Sequence, residues 1–337
     1  MARKRKGRLV SIILFIIINI IVFNRGTIYG NIKSIIGFGD MQISELKTVE
    51  FEYDVERGII PKIFILDEYI LSVVDTKITL FTDEGEAKWQ QTNDFEDLLV
   101  DGNENFFAVV DYLKGDIYIY DYRGNVNASL LGTGEISSLK VTKEGYIMVL
   151  LDTSNSILIY DPQLNLVSQV NINKGDVSSF DFNEKTHFLY IGTLNMEEKQ
   201  LNSYIYKYDL MGHLIGSVKL MDEILFEIYF DGLNFIKISD KEIGTYNENM
   251  ELIDSVNSIG NVDLIAYKDD LLVTQTLDKS SEVIKNNNKY DSIGFDLSKN
   301  EVVFRKSYKE NYQEIVFRND DFICYNNNVI DIFNRDD

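Results

Sequence analysis

A short strand that runs into an aromatic residue and then a turn recurs seven times along this chain. The copies end at Phe81 (KITLFT), Tyr120 (DIYIYD), Tyr160 (SILIYD), Tyr208 (YIYKYD), Tyr246 (EIGTYN), Phe295 (DSIGFD) and Phe333 (VIDIFN). The steps between them are 39, 40, 48, 38, 49 and 38 residues. A period in this range marks a repeat architecture, in which each unit buries its apolar face against its neighbours. The repeat assigns most of the 337 residues to one domain rather than two.

Each unit divides into four short strands, a to d. In the second, a lies near Leu98–Asp101, b is FFAVVDY (106–112), c is DIYIYD (116–121) and d is NVNASLL (125–131). Short strands separated by turn signals mean a sandwich, a barrel or a propeller. Four strands per forty-residue unit select the propeller, so the expected fold is all-β and seven-bladed. The seventh unit supplies a (EIVFR), b (DFICY) and c (NVIDIFN) but no d. Upstream of the first unit, TVEFEYD (48–54) alternates apolar and polar residues. Laid beside the last strand c, it completes the ring and removes an exposed edge.

The net charge of -21 is unevenly spread. Residues 1–44 hold Arg3, Lys4, Arg5, Lys6, Arg8, Arg25 and Lys33 against Asp40, which leaves -27 on residues 45–337. So acidic a body repels phosphate backbones, and nucleic acid is excluded as a partner. The lone Cys324 lies in an apolar run, forms no disulfide within the chain and reads as a buried thiol.

The basic cluster of residues 1–8 precedes an uncharged run, Leu9–Phe23 (LVSIILFIIINIIVF). As a helix this run spans roughly 22 Å against a hydrocarbon core of ~30 Å, a deficit that snorkelling of Arg8 and Arg25 reduces. It reads as an uncleaved signal anchor; a cleaved signal peptide and a soluble structural segment are the alternatives. Cleavage after Gly26 or Gly30 would place Asn24 or Ile28 at the -3 position, which requires a small residue. With the basic cluster cytoplasmic, the body faces outward. The expected layout is a cytoplasmic tail (1–8), a single-pass span (9–23), a tether (24–46) and the propeller (47–337).

No catalytic, metal or cofactor motif stands out. His187 and His213 are the only histidines and read as structural. Asp101, Asn103 and Asn105 imitate the opening of a calcium loop, but Phe106 and Tyr112 occupy the positions that need Gly and Glu. A turn between strands a and b explains them better. An acidic pair in the central channel could cleave a glycan, although 54 acidic residues give no means of choosing a pair. No cofactor is expected.

The two long steps come from insertions between strands b and c, NMEEKQLN (195–202) in blade four and DKSSEVIKNNNKY (278–290) in blade six. Both emerge on the face that carries the d–a connections. Loops on a rigid scaffold commonly carry recognition, so Glu197, Glu198, Lys199, Lys279, Glu282, Lys285 and Lys289 are the candidate binding residues.

In FTDEGEAKWQ, Trp89 follows the turn glycine Gly85 by four residues. That spacing resembles the repeat of quinoprotein-like and WD-like propellers. The basic start, single apolar segment and propeller together resemble membrane-anchored extracytoplasmic propellers of Gram-positive bacteria. The resemblance implies a fold and a cell-surface location and no activity. The expected function is a non-enzymatic binding or assembly scaffold on the outer side of the cell membrane, docking a protein, peptide or cell-surface polymer. The alternative is an extracellular hydrolase or lyase acting on glycans.

Overall fold

The computed structural model describes residues 42–50, 61–82, 84–95, 97–197, 199–257, 263–277, 290–308, 311–318, 321–326 and 329–336. The expected span at 9–23 and residues 278–289 of the blade-six insertion lie outside them. Among the described residues, no helix is long and apolar enough to cross a membrane. They form seven four-stranded antiparallel sheets. Six sheets are consecutive meanders, such as Lys62–Leu66, Tyr69–Val74, Lys77–Thr82 and Ala87–Thr92 in blade one. The seventh joins Glu314–Arg318, Asp321–Tyr325 and Val329–Asp336 to the strand Gln42–Glu50.

The repeated aromatic is the landmark of every blade. Phe81, Tyr120, Tyr160, Tyr208, Tyr246, Phe295 and Phe333 pair with Ile70, Phe107, Ile147, Leu189, Phe235, Leu272 and Phe322 on strand b. The c–d ladder carries a β-bulge just before that aromatic in the first six blades. Such a bulge bends the strand and increases its local twist. The closing pair has the same irregularity, since Lys47 opposes Ile332 and Glu45 opposes Phe333. Gln42–Glu50 is therefore a true strand d.

This corrects the start of the closing segment expected at 48–54 and places in the propeller several residues assigned to the tether. Thr48–Glu50 pairs with Val329–Asp331 as expected, and the ladder also runs back to Gln42, whereas residues 51–54 lie outside the described residues. The bulge explains the shift. It breaks the two-residue alternation across SELK, so the more regular stretch downstream stands out instead.

In blades two to five the same turn follows the aromatic. The Oδ1 of Asp121, Asp161 and Asp209 accepts the backbone N–H groups two and four residues on. Asn247 does the same. The position between needs a positive φ, supplied by Gly124 (90°) and Gly212 (82°), but also by Leu164 (61°) and Met250 (65°). The blades then pack through seven apolar clusters, each shared by two neighbours. The last of these sets Ile63 and Ile70 of blade one against Ile323, Ile330 and Ile332 of blade seven. Trp89 belongs to the first junction, where its Nε1 donates to the Tyr122 carbonyl at 3.2 Å.

Candidate functional site

Strand a is the innermost strand of each blade, and runs of consecutive strand-a residues (225–230, 264–268 and 314–317) line the space around the central axis. Asp101, Lys140, Asp181 and Tyr229 occupy one register position in blades two to five, opposite Ala108, Met148, Tyr190 and Ile236. Glu227 lies two residues before Tyr229, and Glu314 stands on strand a of blade seven. A cavity of about 1060 Å³ opens there, lined by Lys140, Phe180, Asp181, Glu227, Tyr229 and Glu314 among others.

The charges around it are coupled. Lys140 Nζ lies 3.0 Å from Asp181 Oδ1. The negative Asp181, and behind it Asp101, hold the Lys140 ammonium well above the usual lysine range despite burial. Asp101 accepts the N–H groups of Gly102 (2.9 Å) and Val141 (2.6 Å), so it joins blades two and three. Burial nevertheless raises its pKa against the pull of Lys140. Burial, reinforced by Asp181, pushes the Glu227 carboxyl up from 4.5 to about 7. Burial likewise raises Glu314, opposed by a hydrogen bond from the Tyr325 hydroxyl. Tyr229 donates to the Ile265 carbonyl at 2.8 Å.

Asp181, Glu227 and Glu314 thus line the channel with the Lys140 ammonium, and Asp101 acts on that ammonium from behind. The arrangement can hold a cation, or pass a proton at neutral pH through Glu227. Among the described residues no group of three or more His, Cys, Asp and Glu is placed to hold a metal ion.

The sequence-based candidates fare differently. The blade-four insertion is an extended hairpin rather than a loose loop, because the ladder continues through Asn195↔Asn202, Met196↔Leu201 and Glu197↔Gln200. Lys199 turns at its tip with a φ of 69° and is exposed. Glu197 is already engaged by Lys174, by Lys219 at 2.9 Å and by the Tyr204 hydroxyl at 3.0 Å. Those bonds push its carboxyl down to about 2. It braces the hairpin against the preceding d–a connection and has little left for a ligand. Glu198, Lys279, Glu282, Lys285 and Lys289 lie outside the described residues.

Asn103 acts as the expected turn: its Oδ1 accepts from Asn105 and Phe106, and its amide donates to Thr142 in the next blade. His213 is held by Asp209 at 2.9 Å within its turn, and His187 lies 3.3 Å from Glu144 of the preceding blade. Cys324 is buried in blade seven, where burial pushes its thiol up. The channel residues were not singled out from the sequence, where Asp101 read as part of a turn. Their signal was a charged residue set against apolar neighbours near the end of strand a, in LLVD (98–101), LKV (139–141) and FDF (180–182).

Solved structures bear out the fold resemblance. The chain is similar to Sqt1 of Saccharomyces cerevisiae, at 12% identity and a TM-score of 0.59, with 83% of this chain and 82% of that one covered. It is also similar to BamB of Moraxella catarrhalis, a quinoprotein-like propeller, at 9% identity and a TM-score of 0.58, covering 87% and 100%. At such identities the likeness shows the fold alone. No curated protein matches the chain in sequence. The model of one family, described as a family of unknown function (DUF5711), matches residues 43–337, from the closing strand to the last, and the chain belongs to that family.

Proposed function

We propose that the protein is a membrane-anchored, extracytoplasmic scaffold that binds a partner through its rigid ring and does no chemistry of its own. The observation that carries the reading is the preformed channel of about 1060 Å³, whose charged walls are set by backbone ladders rather than by movable loops. Preformed concave sites cost little ordering on binding. Anchoring rests on the apolar run 9–23 and its basic flank, and the segment 24–41 can reach at most about 60 Å from the bilayer.

The test uses the full chain with a carboxyl-terminal tag in intact cells. The protein should co-sediment with membranes, lose the tag to external protease and cross-link to a discrete partner. A protected tag rejects the outward topology, and a soluble chain rejects the anchor.

A second reading is favoured by one observation, the Glu227 proton held near neutrality beside Asp181. An acid poised at working pH next to a carboxylate is the pairing that glycoside cleavage employs. Turnover of an extracellular glycan that Glu227→Gln abolishes would replace the scaffold reading.

A further inference from the structure

A second concavity of about 450 Å³ lies between blades two and three, where the b–c turns and d–a connections meet. Its walls are Leu99, Tyr112, Leu113 and Ile136, and Glu135 and Asp152 stand among its lining residues. Leu113 is half exposed. The walls are tied together by backbone bonds. Ile136 N–H donates to the Tyr112 carbonyl (3.0 Å), Thr133 N–H to Gly115 (2.9 Å) and Asp152 N–H to Glu135 (3.0 Å). Gly115, at a φ of 70°, packs so closely on Gly134 that a Cβ there would strike its backbone. The pocket is therefore built before any ligand arrives.

Its charge is unbalanced. Glu135 and Asp152 are exposed and form no ion pair among the described residues. The nearby cations are engaged elsewhere. Lys114 reaches the Asp94 carbonyl (2.9 Å) and Asp111 (3.2 Å), and Lys62 bridges to Asp97. Asp97 also accepts from the Tyr112 hydroxyl at 3.1 Å. Two unpaired carboxylates beside an apolar wall call for an occupant with a long apolar stem and a cationic head. Arginine fits better than lysine, because its planar fork can address two carboxylates and lie against the Tyr112 ring. The strongly acidic body steers such a segment inward.

We propose that this pocket receives an arginine side chain from an extended segment of a partner protein, an inference that rests on the scaffold reading and gives its partner a chemistry.

The test measures fluorescence anisotropy of the full chain in detergent micelles with a labelled peptide, GSLRLSG. Versions carrying lysine or citrulline in place of the arginine are compared; citrulline keeps the shape without the charge. Binding should fall from arginine to lysine to citrulline, the last about tenfold weaker. Glu135→Gln with Asp152→Asn should bind the arginine and citrulline peptides alike. Asp254→Asn with Glu301→Gln, on outer strands, should leave the preference intact. Leu113→Ser should weaken the arginine peptide about threefold, with far-UV spectra verifying that each variant is folded.

No binding, no preference for arginine, a preference that survives at the altered pocket, or an equal loss in the outer-strand control would each overturn the proposal. If the full chain still cross-links its partner in cells while failing this assay, the pocket falls and the scaffold reading stands.

Discussion

Lys237 shows what the interior of a blade demands of a charge. Its side chain is fully buried on strand b of blade five, where its ammonium meets Glu223 and, at 2.9 Å, Glu242. Burial works against the charge, and hydrogen bonds to the two glutamates outweigh it, holding the pKa above the ordinary lysine value. Ser239 adds a hydrogen bond to Glu223, so the carboxylate is shared rather than stranded. Replacing Lys237 by Met should cost about 3–5 kcal/mol, because it leaves the buried Glu223 uncompensated. Adding Glu223→Gln should recover part of the loss, and urea unfolding of the single and double variants measures both.

Glu227 makes the opposite case. Its pKa is raised in the folded ring to about 7 from 4.5, so the folded state holds a proton that the unfolded chain releases. Its contribution to stability is full below about pH 4.5 and is lost as pH rises through about 7, amounting to at most about 3 kcal/mol. Glu227→Gln keeps the neutral form throughout. The variant should gain stability relative to the parent between pH 5 and pH 8, as read from paired melting curves. A constant difference would show that Glu227 is not held in its protonated form.

At the scale of the element, the closing strand matters most, because it joins one end of the described ring to the other. Without Gln42–Glu50, the strand Val329–Asp336 presents an unpaired edge, which other chains can extend. Deleting residues 42–50 should lower the melting temperature by about 5–10 °C, at a few degrees per kcal/mol for a domain of this size. It should also produce higher oligomers on gel filtration, whereas deleting 1–41 should do neither.

The same strand marks how far the sequence could be read. All seven c strands were legible, because the terminal aromatic repeats in every copy and an Asx turn follows it in blades two to five. The closing strand was legible in kind and in its pairing at 48–50, but its start at Gln42 was not, since its partner is nearly 290 residues away and its bulge hides the alternation. The channel charges escaped for a related reason. Asp101, Lys140 and Asp181 become neighbours only when strands a from separate blades converge, and the one local sign, a charge among apolar neighbours in strand a, does not say which blades bring such charges together. The blade-four insertion was found, but its pairing as a continued hairpin was not foreseen, because NMEEKQLN lacks a glycine turn.

At the scale of the whole molecule, closure turns a quasi-linear repeat into a cooperative body. In an open array each unit contacts only its neighbours, and the ends can fray independently. Here the cluster joining Ile63 and Ile70 to Ile323, Ile330 and Ile332 gives blades one and seven a neighbour on both sides. No terminal repeat remains to fray. The protein supplies its own local reporter, because Trp89 is the only tryptophan in the chain. It lies at the junction of blades one and two, stacked at 6.3 Å on Phe107 and at 6.5 Å on Tyr120. Its fluorescence therefore follows one junction, while far-UV circular dichroism follows all seven sheets. For the closed ring the two signals should trace a single urea transition with one midpoint. In the chain lacking 42–50, blade seven loses its outer strand and unfolding can start there. The dichroism should then begin to fall at lower urea than the tryptophan signal. Separate transitions in the intact chain would mean that the blades unfold as an open array despite the strand that joins them.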